Sequence, residues 1–324
     1  AIITASNRTG QKQPHDFPQL LNITDFLHPP DDNRCGDDGT PLIIHNIGHE
    51  PQEENILNQY PRITPLPLPT MTKRLLTITA LLLLVPIAFW LTGWHWQGNE
   101  VPLARLLWLI TQTAGSPVAF ASIIALTALL CYSHRRGETR ALLLVVLISL
   151  GATQISKSLL KPLIGEARPY VAVLSKHDPA RIRAFYSVPR SARADAVRRY
   201  YARAEHQTPP YLIAHRAKDT GYSFPSGHTT FAASWALLFA GIIGYANRRR
   251  LIISGAVTAW AMLVMASRVW LGMHYPVDLA GGVILACAIH LPLLRAWEQR
   301  HTSPRLRRLF TRLQTWHTLN SQPR

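Results

Sequence analysis

The chain has 324 residues and a formal charge of +16, yet charged residues make up only 16% of it. Those charges gather in clusters, and between them lie runs of the roughly 20 apolar residues that a bilayer span needs, which excludes an ordinary soluble protein. The basic excess fits loops beside a membrane rather than nucleic acid, because no aromatic–basic repeat accompanies it. Three cysteines, Cys35, Cys131 and Cys287, make no disulfide or metal spacing. The last two lie inside apolar runs and read as small buried hydrophobes.

Residues 1–70 are polar, rich in Pro, Asn and Asp, and close with PRITPLPLPT. Little there repays the entropy of folding, so the stretch reads as disordered or polyproline-like chain. Met71 followed by TKRLLTITALLLLVPIAFWLTG reads as a natural basic start and a first span, with residues 1–70 as an upstream extension. A signal peptide is the rival reading of 71–93, but the apolar stretch is long for one and no small-residue cleavage site follows it.

The fold class expected is all-α, with six membrane spans near 74–93, 117–133, 141–160, 227–246, 251–270 and 277–294. Residues 102–113 are too short and mixed to span and read as an interfacial helix, and 161–225 reads as a polar excursion with helical character near 191–205. The membrane domain is therefore expected over 71–300, with a basic tail over 301–324. HRRGETR (134–140), NRRR (247–250), Lys73, Arg74 and the tail fall on one side of such a six-span bundle. The positive-inside rule makes that side cytoplasmic and turns 161–225 outward. Trp90, Trp94 and Trp96 would form an aromatic belt at the outer end of the first span.

Three polar clusters meet on that outer side: KPLIGEARP (161–169), PSGH (225–228) and SRVWLGMHYPVD (267–278). Lys161, Arg168 and Arg268 supply cations at span ends. Each alone reads as a snorkelling anchor; together they suit an anion. The guanidiniums grip phosphoryl oxygens bidentately, and the ammonium acts as a point charge. Ser226 caps the fourth span and offers its hydroxyl, Gly227 lets the backbone come close, and the helix N-terminus favours negative charge.

His274 precedes Asp278 by four residues. Whether that stretch is helix or turn, the two are neighbours, and a carboxylate on one ring nitrogen leaves the other as a lone pair. That describes a nucleophilic histidine. His228 would protonate the leaving oxygen from the far side of the anion. His290, alone within the sixth expected span, reads as a packing residue, and Lys157, one turn before Lys161, reads equally as part of the mouth or as a snorkelling lysine. No HExxH, CxxC, carboxylate cluster or phosphate-binding Gly-rich loop is present, so no metal and no cofactor are expected.

K-x6-RP, PSGH and SR-x5-H-x3-D occur here in order, and on them the chain resembles the type 2 phosphatidic acid phosphatase superfamily over about residues 71–300. The resemblance implies that Lys161, Arg168, Ser226, Gly227 and Arg268 bind the phosphoryl group. It implies that His274 attacks phosphorus, Asp278 orients it, and His228 protonates the leaving group. It also implies a bacterial inner-membrane enzyme with its site facing the periplasm, acting on lipid phosphates such as phosphatidylglycerol phosphate, undecaprenyl pyrophosphate or phosphatidic acid. No protein partner is expected. The rival is a transporter or flippase that binds a lipid phosphate without cleaving it. Charge inside the spans would favour transport; here the ionisable residues gather at one face instead.

Overall fold

The computed structural model describes residues 70–98, 102–134, 138–203, 207–300, 303–305 and 308. The chain divides into two units, Ala1–Thr64 and Pro65–Arg324, and every described residue belongs to the second. The expectations for residues 1–69 and for most of the tail lie outside the described residues.

The described chain is helical. In order it forms α1 (Thr70–Leu91), α2 (Ala104–Gln112), α3 (Val118–Ser133), α4 (Thr139–Ile164), α5 (Pro169–Leu174), α6 (Pro179–Ser187), α7 (Arg190–Tyr201), α8 (Pro210–Lys218), α9 (Gly227–Ile242), α10 (Arg248–Trp270) and α11 (Pro276–Gln299). Local chemistry sets many of these ends. Gly165, at φ 68°, takes the left-handed conformation that closes α4. Pro169, Pro179, Pro210 and Pro276 open their helices, where a missing N–H is no loss. Ser226 caps α9, and Asn247 caps α10 by accepting the Arg250 N–H at 3.0 Å.

The excursion expected at 161–225 is more ordered than its polarity suggested. It ends α4 and then folds into four short helices, α5 to α8. These pack on a second apolar cluster of their own, with Tyr170, Val197, Tyr201 and Leu212 buried in it. Trp96 is only 7% exposed and lies within this cap, where the Arg216 guanidinium stacks between it and Tyr201 at 4.7 Å from each ring. The aromatic belt therefore does not include Trp96, because a buried cation claims its face. Trp90 remains exposed. Cys131 and Cys287 are half-buried rather than fully buried, and both pack against the core of the bundle.

The helical bundle is multi-span. Four segments have the length and apolar composition to cross a membrane: Thr70–Leu91, Thr139–Leu174, Arg248–Trp270 and Pro276–Gln299. Helices α3 and α9, expected as two further spans, have 16 residues each, or about 24 Å against a hydrocarbon core of about 30 Å. In α9 the start is where it was expected and the shortfall is at the other end, where the helix stops at Ile242 and Gly244 takes a left-handed φ of 66°. Both nevertheless run between the same two ends as their neighbours. At the basic end, Arg295 donates to the Thr72 hydroxyl at 2.9 Å, Arg249 lies over Tyr132 of α3, and Arg74 lies over Gly244 just past α9. At the other end, Phe89 meets Trp270 edge-on, and Ser122 near the start of α3 donates to the Thr113 carbonyl at 2.6 Å.

α9 is the centre of the bundle, with every residue from Thr229 to Gly241 buried. Leu147, Ile155 and Leu159 of α4 and Phe120 and Ile124 of α3 are more than 60% exposed. Such an apolar surface is what a helix offers to hydrocarbon rather than to water. His290 is the packing residue expected: buried, it meets the Ser149 hydroxyl at 3.1 Å and so ties α11 to α4.

Small residues bring α11 against the loop before α9. A methyl group on Gly282 would stand 3.1 Å from the Ser226 carbonyl oxygen and from Thr229. Gly282→Val therefore forces α9 from α11, at about 1–3 kcal/mol for overpacking. The check is the melting temperature of the detergent-purified protein, which falls for Gly282→Val. It holds or rises for Gly255→Ala, where a methyl meets nothing within 4 Å. Equal melts for the two variants would contradict this close packing.

Candidate active site

Helix ends and loops at one end of the bundle bring all eight residues expected at the site around one region. Lys161 comes from the last turn of α4, Arg168 from the loop into α5, and Ser226, Gly227 and His228 from the start of α9. Arg268 ends α10, His274 sits in the turn that follows, and Asp278 lies in the first turn of α11. The Ser226 N–H donates to the Asp278 carbonyl at 3.1 Å, which joins the start of α9 to the start of α11.

His274 and Asp278 meet across a turn, not along one helix face. Tyr275 caps α11, and its N–H donates to Asp278 Oδ2 at 2.8 Å. The same oxygen lies 3.2 Å from His274 Nδ1. The Nδ1–H donates to the carboxylate, which turns Nε2 outward as a lone pair. Ser223, which the motif reading missed, completes this corner: its hydroxyl donates to Asp278 Oδ2 and lies 3.1 Å from His274 Nδ1. His274 is 1% exposed. Burial first, and then the Arg168 and Arg268 guanidiniums, hold its pKa well below the usual histidine range, so the ring is neutral at neutral pH.

Arg168 is 2% exposed, and its guanidinium is fully engaged. Its Nε donates to the Gly221 carbonyl at 2.8 Å, and Nη1 donates to the Met273 carbonyl at 3.1 Å and to His274 Nε2 at 3.3 Å. Nη2 donates to Asp219 Oδ1 at 2.7 Å and to the Tyr222 carbonyl at 3.5 Å. Arg268, fully buried, donates from Nη1 to the Thr111 hydroxyl at 2.9 Å and to His215 Nε2 at 3.0 Å. Its Nη2 donates to Asp219 Oδ2 at 3.0 Å. His215 accepts as a neutral ring, because burial and then the Arg268 charge push its pKa down to about 3. Lys161 donates to the Tyr222 and Ser223 carbonyls at 2.6 and 3.1 Å.

Asp219, His215 and Thr111 were also missed from sequence. Each is a lone polar residue outside any motif spacing. One signal was available for Asp219: an acidic residue closely preceding PSGH, in a loop otherwise rich in cations. Burial alone would raise its pKa, but the Arg168 and Arg268 guanidiniums outweigh that and hold it well below the usual carboxylate range.

Five of the eight expected residues, Lys161, Arg168, Gly227, His228 and His274, line a cavity of about 490 Å³, while Arg268, Ser226 and Asp278 are fully buried and do not line it. Lys157, Lys161, Arg168, Asp219, His228 and His274 line its polar end, and Ala119, Phe120, Ile123, Leu150 and Phe231 line an apolar wall. Lys157 is thus at the mouth: its chain lies over Gly227, where a methyl would stand 3.0 Å from its Cδ. His228 faces Gly115, where a methyl would come within 2.9 Å of Nε2. The Ser226 hydroxyl accepts from the Thr229 N–H and hydroxyl at 3.4 and 3.0 Å, so it caps α9 as expected. Among the described residues, no three His, Cys, Asp or Glu side chains converge as metal ligands. The donors instead suit an anion: several cations, one lone-pair imidazole and a helix N-terminus.

Comparison with known proteins agrees with this chemistry. The family model of the PAP2 superfamily matches residues 142–302. Phosphatidylglycerophosphatase B of Haemophilus influenzae is 35% identical over 226 residues, which cover 68% of this chain and 93% of that protein. Phosphatidylglycerophosphatase B of Escherichia coli K12 is 35% identical over 223 residues, covering 68% and 87%. A shorter stretch of 80 residues is 42% identical to an undecaprenyl-diphosphatase of Bacillus subtilis, covering 24% of this chain and 35% of that one. With the family model matched and the two phosphatidylglycerophosphatases B aligned over most of their length, the chain belongs to the PAP2 superfamily.

Proposed function

We propose that this protein is an integral membrane lipid phosphatase that works through a phosphohistidine on His274. The observation that carries the reading is the position of His274 Nε2. It is a lone pair fixed by Asp278, 3.3 Å from a guanidinium nitrogen of Arg168, in a cavity whose other wall is apolar. A phosphoryl group held by Arg168 is thereby presented to the nucleophile, and an acyl or prenyl tail has an apolar surface to lie on.

In the first step Nε2 attacks phosphorus and the P–O bond to the lipid breaks. The departing oxygen, an alcohol or the inner phosphate of a pyrophosphate, takes a proton from His228. Asp278 stabilises the imidazolium as the N–P bond forms. In the second step His228 takes a proton from water, water attacks phosphorus, and the N–P bond breaks to release inorganic phosphate. Lys161, Arg168, Arg268, the Gly227 N–H and Ser226 would hold the phosphoryl oxygens, and Lys157 adds charge at the mouth. The names of the two phosphatidylglycerophosphatases support phosphatidylglycerol phosphate as substrate, and the shorter match supports undecaprenyl pyrophosphate as an alternative.

We place α3 and α9 as spans beside the four longer segments, because they run between the same two ends. With six spans, the basic end is cytoplasmic and the site faces the periplasm of a bacterial inner membrane.

In detergent with EDTA, the purified protein releases phosphate from at least one of phosphatidylglycerol phosphate, undecaprenyl pyrophosphate and phosphatidic acid. His274→Ala lowers that rate by about 10⁴-fold or more, the scale of losing a nucleophile, while still inserting into membranes. Full activity in that variant would end the nucleophile assignment, and headgroup movement without phosphate release would favour transport. For topology, a periplasm-dependent reporter fused after residue 200 is active; a signal there from a cytoplasm-dependent reporter would overturn the six-span arrangement.

A further inference from the structure

The two buried guanidiniums share one carboxylate. Asp219 spends one oxygen on each, Oδ1 on Arg168 at 2.7 Å and Oδ2 on Arg268 at 3.0 Å. The other partners of these arginines are neutral: the carbonyls of Gly221, Tyr222 and Met273, and the buried side chains of Thr111, His215 and His274. Asp219 differs from them. Its side chain is 30% exposed and lines the cavity. It is therefore the one charged acceptor on both arginines that stands on the cavity side. Arg168 lines the cavity, whereas Arg268 is fully buried against Asp219 and does not, so a phosphoryl group bound across the two would take those same Nη2 donors in place of the carboxylate.

We propose that Asp219 is an internal competitor for the phosphoryl group, so that substrate binds by exchanging with its carboxylate on Arg168 and Arg268. The inference rests on reading this cavity as a phosphoryl site. No covalent bond changes in the exchange: one anion leaves two guanidiniums and another takes its place. The backbone allows this without unfolding. The Tyr170 hydroxyl donates to the Asp219 carbonyl at 3.1 Å, which pins the main chain while the side chain stays free to turn. Two consequences follow. Buried guanidiniums keep a counter-charge at every stage of turnover, as buried charges require. The product, inorganic phosphate, also meets a rival for its donors, which speeds its release. Asp219 is thus a positioning residue that sets phosphate affinity through the two arginines.

A purely structural role predicts the opposite result, which makes the two separable. If Asp219 only held the arginines in line, its neutralisation would weaken phosphate binding. Under exchange, neutralisation removes the competitor and tightens it. The experiment measures binding of inorganic phosphate to the full-length detergent-purified protein by calorimetry and as competitive inhibition of lipid phosphate turnover. Asp219→Asn is expected to bind phosphate on the order of tenfold more tightly, the scale of one charge-assisted hydrogen bond. Its KM for a lipid phosphate falls along with the inhibition constant, and kcat falls as product lingers. Asp219→Glu, which keeps the charge, does not show the tightened phosphate binding of Asp219→Asn. Unchanged or weaker phosphate binding by Asp219→Asn overturns the proposal. If Asp219→Asn does not survive purification in plain buffer, inorganic phosphate added throughout is expected to restore a monodisperse protein, because it replaces the lost counter-charge. Failure of phosphate to rescue it would equally overturn the proposal. A wild-type protein that cleaves no lipid phosphate would end the catalytic reading alone, since the calorimetric comparison does not depend on turnover.

Discussion

Two guanidiniums taken out of water at the end of a membrane bundle are the constraint on which the rest depends. Arg168 and Arg268 are 2% and 0% exposed. A buried cation without partners is strongly unfavourable, so the surrounding chain must bring acceptors to it. The loop before α9 supplies carbonyls from Gly221 and Tyr222, the turn after α10 supplies that of Met273, α8 supplies His215, and Asp219 lies at its end. Residues 215–222 and Met273 are far apart in sequence, and the two arginines hold them together. The cap helices α5 to α8 are thereby anchored over the bundle by the same side chains that make the cavity positive.

The second requirement is closeness. α9 can present Ser226, Gly227 and His228 to the cavity only if its start packs tightly on α11. Gly282 gives the backbone that room, and the Ser226–Asp278 main-chain hydrogen bond holds the two starts in register. The register in turn sets His274 beside Asp278 and Ser223, with Nε2 aimed outward. Packing at a glycine, a helix cap and the tautomer of one histidine are therefore links of one chain of causes.

The parts of this arrangement legible in sequence were those written as spacing. K-x6-RP, PSGH and SR-x5-H-x3-D identify residues that lie at helix ends, and apolar runs locate the helices that carry them. Asp219, His215, Thr111 and Ser223 were not legible, because each acts across a tertiary contact that no local period encodes. The order of the excursion was hidden for a related reason. Its charged residues suggested solvent, while Arg216 is in fact stacked between Trp96 and Tyr201. Hydropathy placed α3 to within one residue but gave α9 four more residues than it has, because the apolar run continues past the helix end at Ile242. The turn between His274 and Asp278 was one of two readings open from sequence, and the proline at the start of α11 decides it.

The central claim is that His274 carries the phosphoryl group between lipid and water. The measurement that reaches it most directly is rapid acid-free denaturation of the protein during turnover, followed by peptide mass spectrometry under alkaline conditions that preserve a phosphoramidate. The account predicts a phosphoryl adduct on the peptide containing His274 in the wild-type protein during turnover, and none in His274→Ala. An adduct on another residue, or turnover with no adduct on His274, would contradict it.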